Sequence, residues 1–298
     1  MASKPIRIAI IGDNSQLRKT LKQTTKRLQG FGKSITKVGV ASGVAFATTA
    51  TAIATKSITA FADYEKSLKE VLTLTGDASA ETFTKMSDQV KAFAKETGVL
   101  PDKVLPALYQ SISAGVPQDN VFEFLRVANR AAKGGIADLE VAVDALTSVT
   151  AAYSSTGMTA VEASDLLFSA VKSGKTDFNQ LSSEIYKVGP IAAAVGIEFK
   201  SVTAALADLT LKGTPTAIAA TQLKAAFAEL SKAGSKSDKA FRDLAGVGMA
   251  EFLAQGGDFQ GVLTVLKDGA DDAGVSVMDM FGSIEAGQAI LALTADGG

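Results

Sequence analysis

Gly98-Val-Leu-Pro-Asp-Lys-Val-Leu-Pro-Ala-Leu-Tyr-Gln-Ser-Ile-Ser-Ala-Gly115-Val-Pro117 reads as one short helix with its own punctuation. Pro101 suits the first helical position, where a missing N–H costs nothing. Val104, Leu108 and Ile112 recur four apart and make one apolar stripe. Gly115 and Pro117 then stop the helix. The layout returns 98 residues on, as Gly196-Ile-Glu-Phe-Lys-Ser-Val-Thr-Ala-Ala-Leu-Ala-Asp-Leu-Thr-Leu-Lys-Gly213-Thr-Pro215. The same offset places Gly76 on Gly174, Val90 on Val188, Ala94 on Ala192, Leu125 on Leu223 and Ala128 on Ala226. Residues 72–132 and 170–230 therefore read as two copies of one helical unit, with a helix around Leu139–Tyr153 between them.

Outward from this pair, glycines punctuate the chain at Gly76, Gly98, Gly115, Gly134, Gly157, Gly174, Gly196, Gly213 and Gly234. Each is expected to close a helix in the left-handed conformation. The spacing fits one short helix plus a turn each time. Val121, Phe122, Leu125, Ala128 and Ala132 form another stripe, and Thr159-x-x-Glu162 is a capping box that starts a helix over 160–173. The fold class expected is all-α: a long basic and alanine-rich N-terminal helix, then an array of short antiparallel helices with an internal duplication. Three segments follow: 1–75, the leader; 76–234, the array; and 235–298, where glycines break up helical patches at 238–245, 259–268 and 276–294.

The leader is chemically distinct. Residues 1–62 hold ten Lys/Arg and one acid, a charge of +9, against −1 for the whole chain and so −10 for the rest. Arg18, Lys19, Lys22, Lys26 and Arg27 form a basic face beside Leu17, Leu21, Leu28 and Phe31. Val38–Thr55 carries no charge and contains Gly39, Gly43 and Ala47, small residues four apart on one helix face. Such a face packs helices closely and occurs in membrane helix pairs. Its length is at the lower edge for a span and its threonines dilute the hydrophobicity, so a packing helix is favoured over a membrane one. Phe61, Leu68, Val71 and Leu72 then share an apolar face, with Glu65–Lys69 and Lys66–Glu70 pairs four apart.

Several chemistries are excluded. The chain has no histidine and no cysteine. That removes histidine acid–base catalysis, thiolate nucleophiles and disulfides. Gly32-Lys33-Ser34 and Gly174-Lys175-Thr176 lack the upstream glycine of a phosphate loop and read as helix caps and linkers. Gly12-Asp13-Asn14 lacks the further glycines of a dinucleotide turn. Asp268, Asp271, Asp272 and Asp279 miss the calcium-loop glycine and glutamate, which leaves a solvated loop. Glu123, Asp138, Glu140 and Asp144 fall on expected exposed helix faces. No catalytic, cofactor or metal site is expected, and no enzyme activity. A membrane-active helical protein and a helical adaptor both remain open on the residues alone.

Four stretches, in this order, resemble the N-terminal core of tail tape measure proteins of long-tailed bacteriophages: Phe61-Ala-Asp-Tyr-Glu65 with Leu68 and Val71; Ala94-Lys-Glu-Thr-Gly98 with Ser113-Ala-Gly115-Val116; Ala163-Ser-Asp165-Leu-Leu-Phe-Ser-Ala170-Val171 with Gly174 and Thr176; and Val188-Gly-Pro190-Ile-Ala192-Ala-Ala-Val-Gly196 with Ala204-Ala-Leu-Ala207-Asp-Leu209-Thr. Phe281-Gly282 resembles a later family segment. The resemblance covers about residues 60–290. It implies a structural virion protein in the tail lumen, which sets tail length during tube assembly and leaves at infection. Implied partners are the tail tube protein, tail assembly chaperones, tail tip or baseplate proteins and copies of itself, with host membrane contact at infection and no sequence-specific nucleic acid binding. Implied locations are the tail lumen and, during assembly, the host cytoplasm. Family members are usually longer, with extended helical regions after this core, so the chain reads as a fragment or a short member.

Overall fold

The computed structural model describes residues 60–295. The basic face, the Gly39–Ala47 face and the uncharged Val38–Thr55 segment lie outside the described residues. Among the described residues there is no strand, and the helices follow one another with short connections. They are α1 (60–73), α2 (Ala80–Thr97), α3 (Pro101–Ser113), α4 (Val121–Gly135), α5 (Leu139–Ala152), α6 (Ala160–Ser173), α7 (Phe178–Ala194), α8 (Phe199–Leu211), α9 (Thr216–Ser231), α10 (Lys236–Ala245), α11 (Met249–Ala254), α12 (Phe259–Ala273) and α13 (Ile284–Thr294). The all-α class read from the sequence is the one found.

Successive helices alternate between two rows. One row stacks α3, α5, α7, α9 and α13; the other stacks α2, α4, α6 and α8. Each helix meets its chain neighbours across the rows and its next-but-one neighbours along its row. The core is a seam of small and branched residues between the rows, including Val104, Leu108, Ala128, Ala142, Leu146, Leu167, Val188, Leu206, Ala219 and Leu223. Short helices of this length gain most of their stability from such burial, at about 25 cal/mol per Å² of apolar surface.

Helix ends follow from local sequence. Pro101 is the first residue of α3, as expected. Gly115 has φ +91°, and the Val116 N–H reaches the Ser111 carbonyl at 3.0 Å. At the position 98 residues on, Gly213 has φ +96° and the Thr214 N–H reaches the Leu209 carbonyl, also at 3.0 Å. α3 and α8 begin and end 98 residues apart. α2 and α7 begin 98 residues apart. A step of 98 residues crosses five helices, an odd number, so α3 and α8 stand in opposite rows.

The glycine ladder needs correction at two rungs. Seven of the nine glycines have positive φ; Gly134 and Gly174 do not. Gly134 lies inside α4, which ends one residue later, and Ile136 takes the left-handed position at φ +51°. Gly174 is extended, at φ −108° and ψ 179°. Packing explains both regions. A Cβ on Gly135 would lie 2.4 Å from Phe178 Cβ, and one on Gly174 would lie 2.6 Å from Thr210 Oγ1 and 2.8 Å from Ala207 Cα. These glycines let helices touch rather than turn. Two other expectations also differ. Leu68, Val71 and Leu72 are buried, but Phe61 is exposed, so the α1 stripe starts later than its periodicity suggested. Asp268, Asp271 and Asp272 lie on helix α12 instead of a loop, where Asp271 pairs with Lys267 at 2.6 Å.

Replacing Gly135 with alanine forces Phe178 or α4 to move and should cost about 1–3 kcal/mol. Thermal unfolding of Gly135→Ala should show a clear loss, larger than for Gly189→Ala, where a Cβ meets nothing within 4 Å and alanine favours the helix. Equal melting temperatures would remove the close-packing role.

Candidate interaction surface

Functional geometry here means exposed features on a rigid frame. The frame is tied by polar contacts at its loops. Burial pushes the Tyr153 phenol up in pKa, and its hydroxyl donates to the Ile197 carbonyl at 3.0 Å while its ring tilts against Phe199. Tyr64 bonds Ser87 and fixes α1 to α2. Arg126 on α4 bonds Glu96 on α2 at 3.0 Å and Glu123 at 3.2 Å. The hydrogen bond from Arg126 holds the Glu96 carboxyl below its usual range.

The C-terminal helix α13 is held by polar groups along its length. Glu229 on α9 accepts from the Gly282 and Ser283 N–H groups and the Ser283 hydroxyl. A carboxylate at a helix N-terminus satisfies orphan donors and complements the dipole. Gln222 donates to Gln288 at 2.9 Å, and Lys212 Nζ donates to the Ala292 carbonyl at 2.6 Å. Glu229 carries no local signature, because nothing near it in sequence marks a carboxylate that caps a helix 53 residues away.

A shallow, open groove of about 420 Å³ lies between α3 and α5. Tyr109, Ser113, Asp144 and Ser148 line it, and Gln110 bridges to Asp144 at 3.1 Å across it. Among the described residues no group of three or more Asp or Glu is placed to hold a metal, and no helix is long and apolar enough to cross a membrane. Gly174-Lys175-Thr176 is a linker between α6 and α7; Lys175 N–H donates to Thr210 Oγ1, and Thr176 meets Thr216 at 2.7 Å. Glu123, Asp138, Glu140 and Asp144 are exposed and spread over two helices and a loop. Gly39, Gly43, Ala47, Arg18, Lys19, Lys22, Lys26 and Arg27 fall outside the described residues, so the structure brings none of them together.

A two-row helical frame whose polar groups mainly tie helix to helix defines a structural or interaction protein. Comparison with known proteins makes the class specific. Residues 87–293 match the model of the phage-related minor tail protein family, and the chain belongs to that family. A relative from Clostridium phage phiCD119, described as a probable tape measure protein, is 28% identical over 282 residues, covering 91% of this chain. The chain spans 30% of that relative's length. No solved structure matches. The resemblance read from the residues and the family found are the same.

Two outcomes are expected. Glu229→Ala should loosen residues 281–294, seen as faster amide exchange there, at a cost of about 1–3 kcal/mol to their local stability. Unchanged exchange would mean that apolar packing alone seats α13. At the capping box, the Thr159 N–H and hydroxyl hold the Glu162 carboxyl below 4.5. A depressed carboxyl stabilises the fold above its unfolded pKa, and that contribution is lost as pH falls through the folded pKa. An NMR titration should find Glu162 below ordinary glutamates, and Thr159→Val, which removes the hydroxyl but keeps the backbone N–H, should raise it only part of the way.

Proposed function

We propose that this chain is the folded core of a tail tape measure protein, a structural component of the virion that acts in the tail lumen while the tube is built. What carries the reading is agreement of extent: the family match spans nearly the same residues as the two-row array, and the relative named as a probable tape measure protein aligns over most of the chain. The partners that follow are the tube protein, assembly chaperones and the tail tip or baseplate, with release at infection. A structural role needs no catalytic group, which suits a chain without histidine or cysteine.

Within that role the array is an anchor rather than the ruler. A length-setting helix gains about 1.5 Å per residue. An array of short helices folded back on each other adds little length per residue. The similarity at 98-residue spacing fits growth of the anchor by duplication, and 170–230 is one copy.

Removing 170–230 from the phage gene should abolish or misassemble tails. If this segment were ruler, its loss would give viable tails shorter by about 1.5 Å for each residue removed. Electron microscopy of the deletion phage separates the outcomes. Evenly shortened tails overturn the anchor assignment. Viable tails of normal length overturn the tape measure reading for this array.

A further inference from the structure

Helix starts recur through the array. In one row they fall at 80, 121, 160 and 199, and in the other at 101, 139, 178 and 216, in steps of 38 to 41 residues. The unit that repeats is therefore a helix pair: α2 with α3, α4 with α5, α6 with α7, and α8 with α9. In a stack of such pairs each pair touches only its neighbours, so stability is set junction by junction. The three junctions are not built alike. At the second, Gly134 lies against Phe168 and Gly135 against Phe178. The buried Tyr153 hydroxyl, just past α5, donates there to the Ile197 carbonyl beyond α7. At the third, Gly174 lies against Ala207 and Thr210. The Lys175 N–H donates to the buried Thr210 hydroxyl, and Thr176 bonds the buried Thr216.

The first junction is looser. α2 and α3 pack less extensively on α4 and α5 than each later pair packs on the next. The open groove of about 420 Å³ lies along this seam, between α3 and α5. No glycine closes it: a Cβ on Gly98 or Gly115 would meet nothing within 4 Å. The polar ties that cross the seam are solvent-exposed: Gln110 to Asp144, Arg126 to Glu96, and Lys133 to the Thr97 carbonyl. Exposed ties add little to stability, because water competes for both partners. The main apolar link between α2 and α4 is a ring pair, Phe93 with Phe122, whose centroids are 6.2 Å apart.

We infer that residues 60–113 form a detachable cap, which comes away as one unit along this seam and turns on the 114–120 connection while the later pairs stay folded. Tyr64 bonds Ser87, so α1 leaves with α2. Short helices are marginal in water once their apolar faces are bare, so α2 and α3 melt when they detach. Detachment bares Phe122 on α4 and the wall of α5 that the groove now only partly opens. The tighter second and third junctions keep the rest of the stack in place. The device is an end piece whose departure uncovers an apolar face on a frame that persists.

The test uses the full chain under native conditions. Amide exchange read by mass spectrometry should show α2 and α3 exchanging together, about tenfold or more faster than α5, α7 and α8. Equal protection in the two regions would overturn the proposal. Separate rates for α2 and α3 would do the same, because they would mean fraying helix by helix. Phe93→Ala should speed exchange in 60–113 by about tenfold or more and leave 178–211 unchanged. Acceleration shared by both regions, or absent from 60–113, would overturn the cap. A thiol probe reads the opening directly, since the chain has no cysteine. Thr147 is buried on α5 beside the groove, and Thr210 is buried at the third junction. Thr147→Cys should be labelled about tenfold or more faster than Thr210→Cys. Labelling at equal rates would show that the first seam opens no more readily than the third, and the inference would fall.

Discussion

Close approach between helices is the constraint on which this fold depends. Aromatic residues are only 6% of the chain, so bulky rings cannot fill wide gaps between helices. The rows must instead come near enough for Ala, Val and Leu to interlock. Glycine makes the nearest approaches possible. Gly135 admits the Phe178 ring system, Gly174 lies against Ala207 and Thr210, and Gly269 faces Leu244 with no room for a Cβ. Packing forfeits contact energy quickly as gaps open, so a small displacement at one of these crossings spreads along a row. Alanines such as Ala128, Ala142, Ala219 and Ala226 are wholly buried for the same reason.

This constraint decides how much was legible in the sequence. Helix existence, order and many ends were legible because each is set by local chemistry: Pro101 at a start, Thr159 with Glu162 at a cap, Gly115 and Gly213 at left-handed ends. The misread glycines share one cause. Sequence pattern cannot tell a glycine that must turn from a glycine that must be touched. Gly134 and Gly174 looked like the rest of the ladder, and only the partners supplied by distant helices, Phe168 and Thr210, separate them. The row arrangement was illegible for the same reason. Alternation of rows is a long-range outcome, and it puts the similar helices α3 and α8 on opposite sides of the frame. Phe61 was misplaced because a periodic stripe gives a direction but does not say where the partner helix ends.

Surface function was harder to read, and the reason is also physical. An enzyme site advertises itself through residue types whose chemistry is rare elsewhere. A structural tail protein works through contacts made of common residues. Leu, Ile and Lys on a surface look like any others until their exposure and backbone geometry are known. The resemblance to tape measure proteins therefore came from ordered patterns across the array rather than from any single site, and the family match covers the same array.

Internal similarity supplies what composition cannot. Two helices that begin and end at the same offset give each surface position a counterpart in a nearly equivalent backbone setting. Where both members follow local rules, as at Gly115 and Gly213, the shared residue is explained by the backbone alone. Where the helix bounds drift apart, as between α4 (Val121–Gly135) and α9 (Thr216–Ser231), the backbone has changed and a residue-by-residue comparison no longer holds. Ile136 directly follows its helix, whereas Gly234 lies three residues past the end of α9, and Leu100 and Glu198 alike make no capping bond. Ile136, exposed and left-handed, therefore carries a local backbone cost that belongs to the end of α4 and has no counterpart in the second copy.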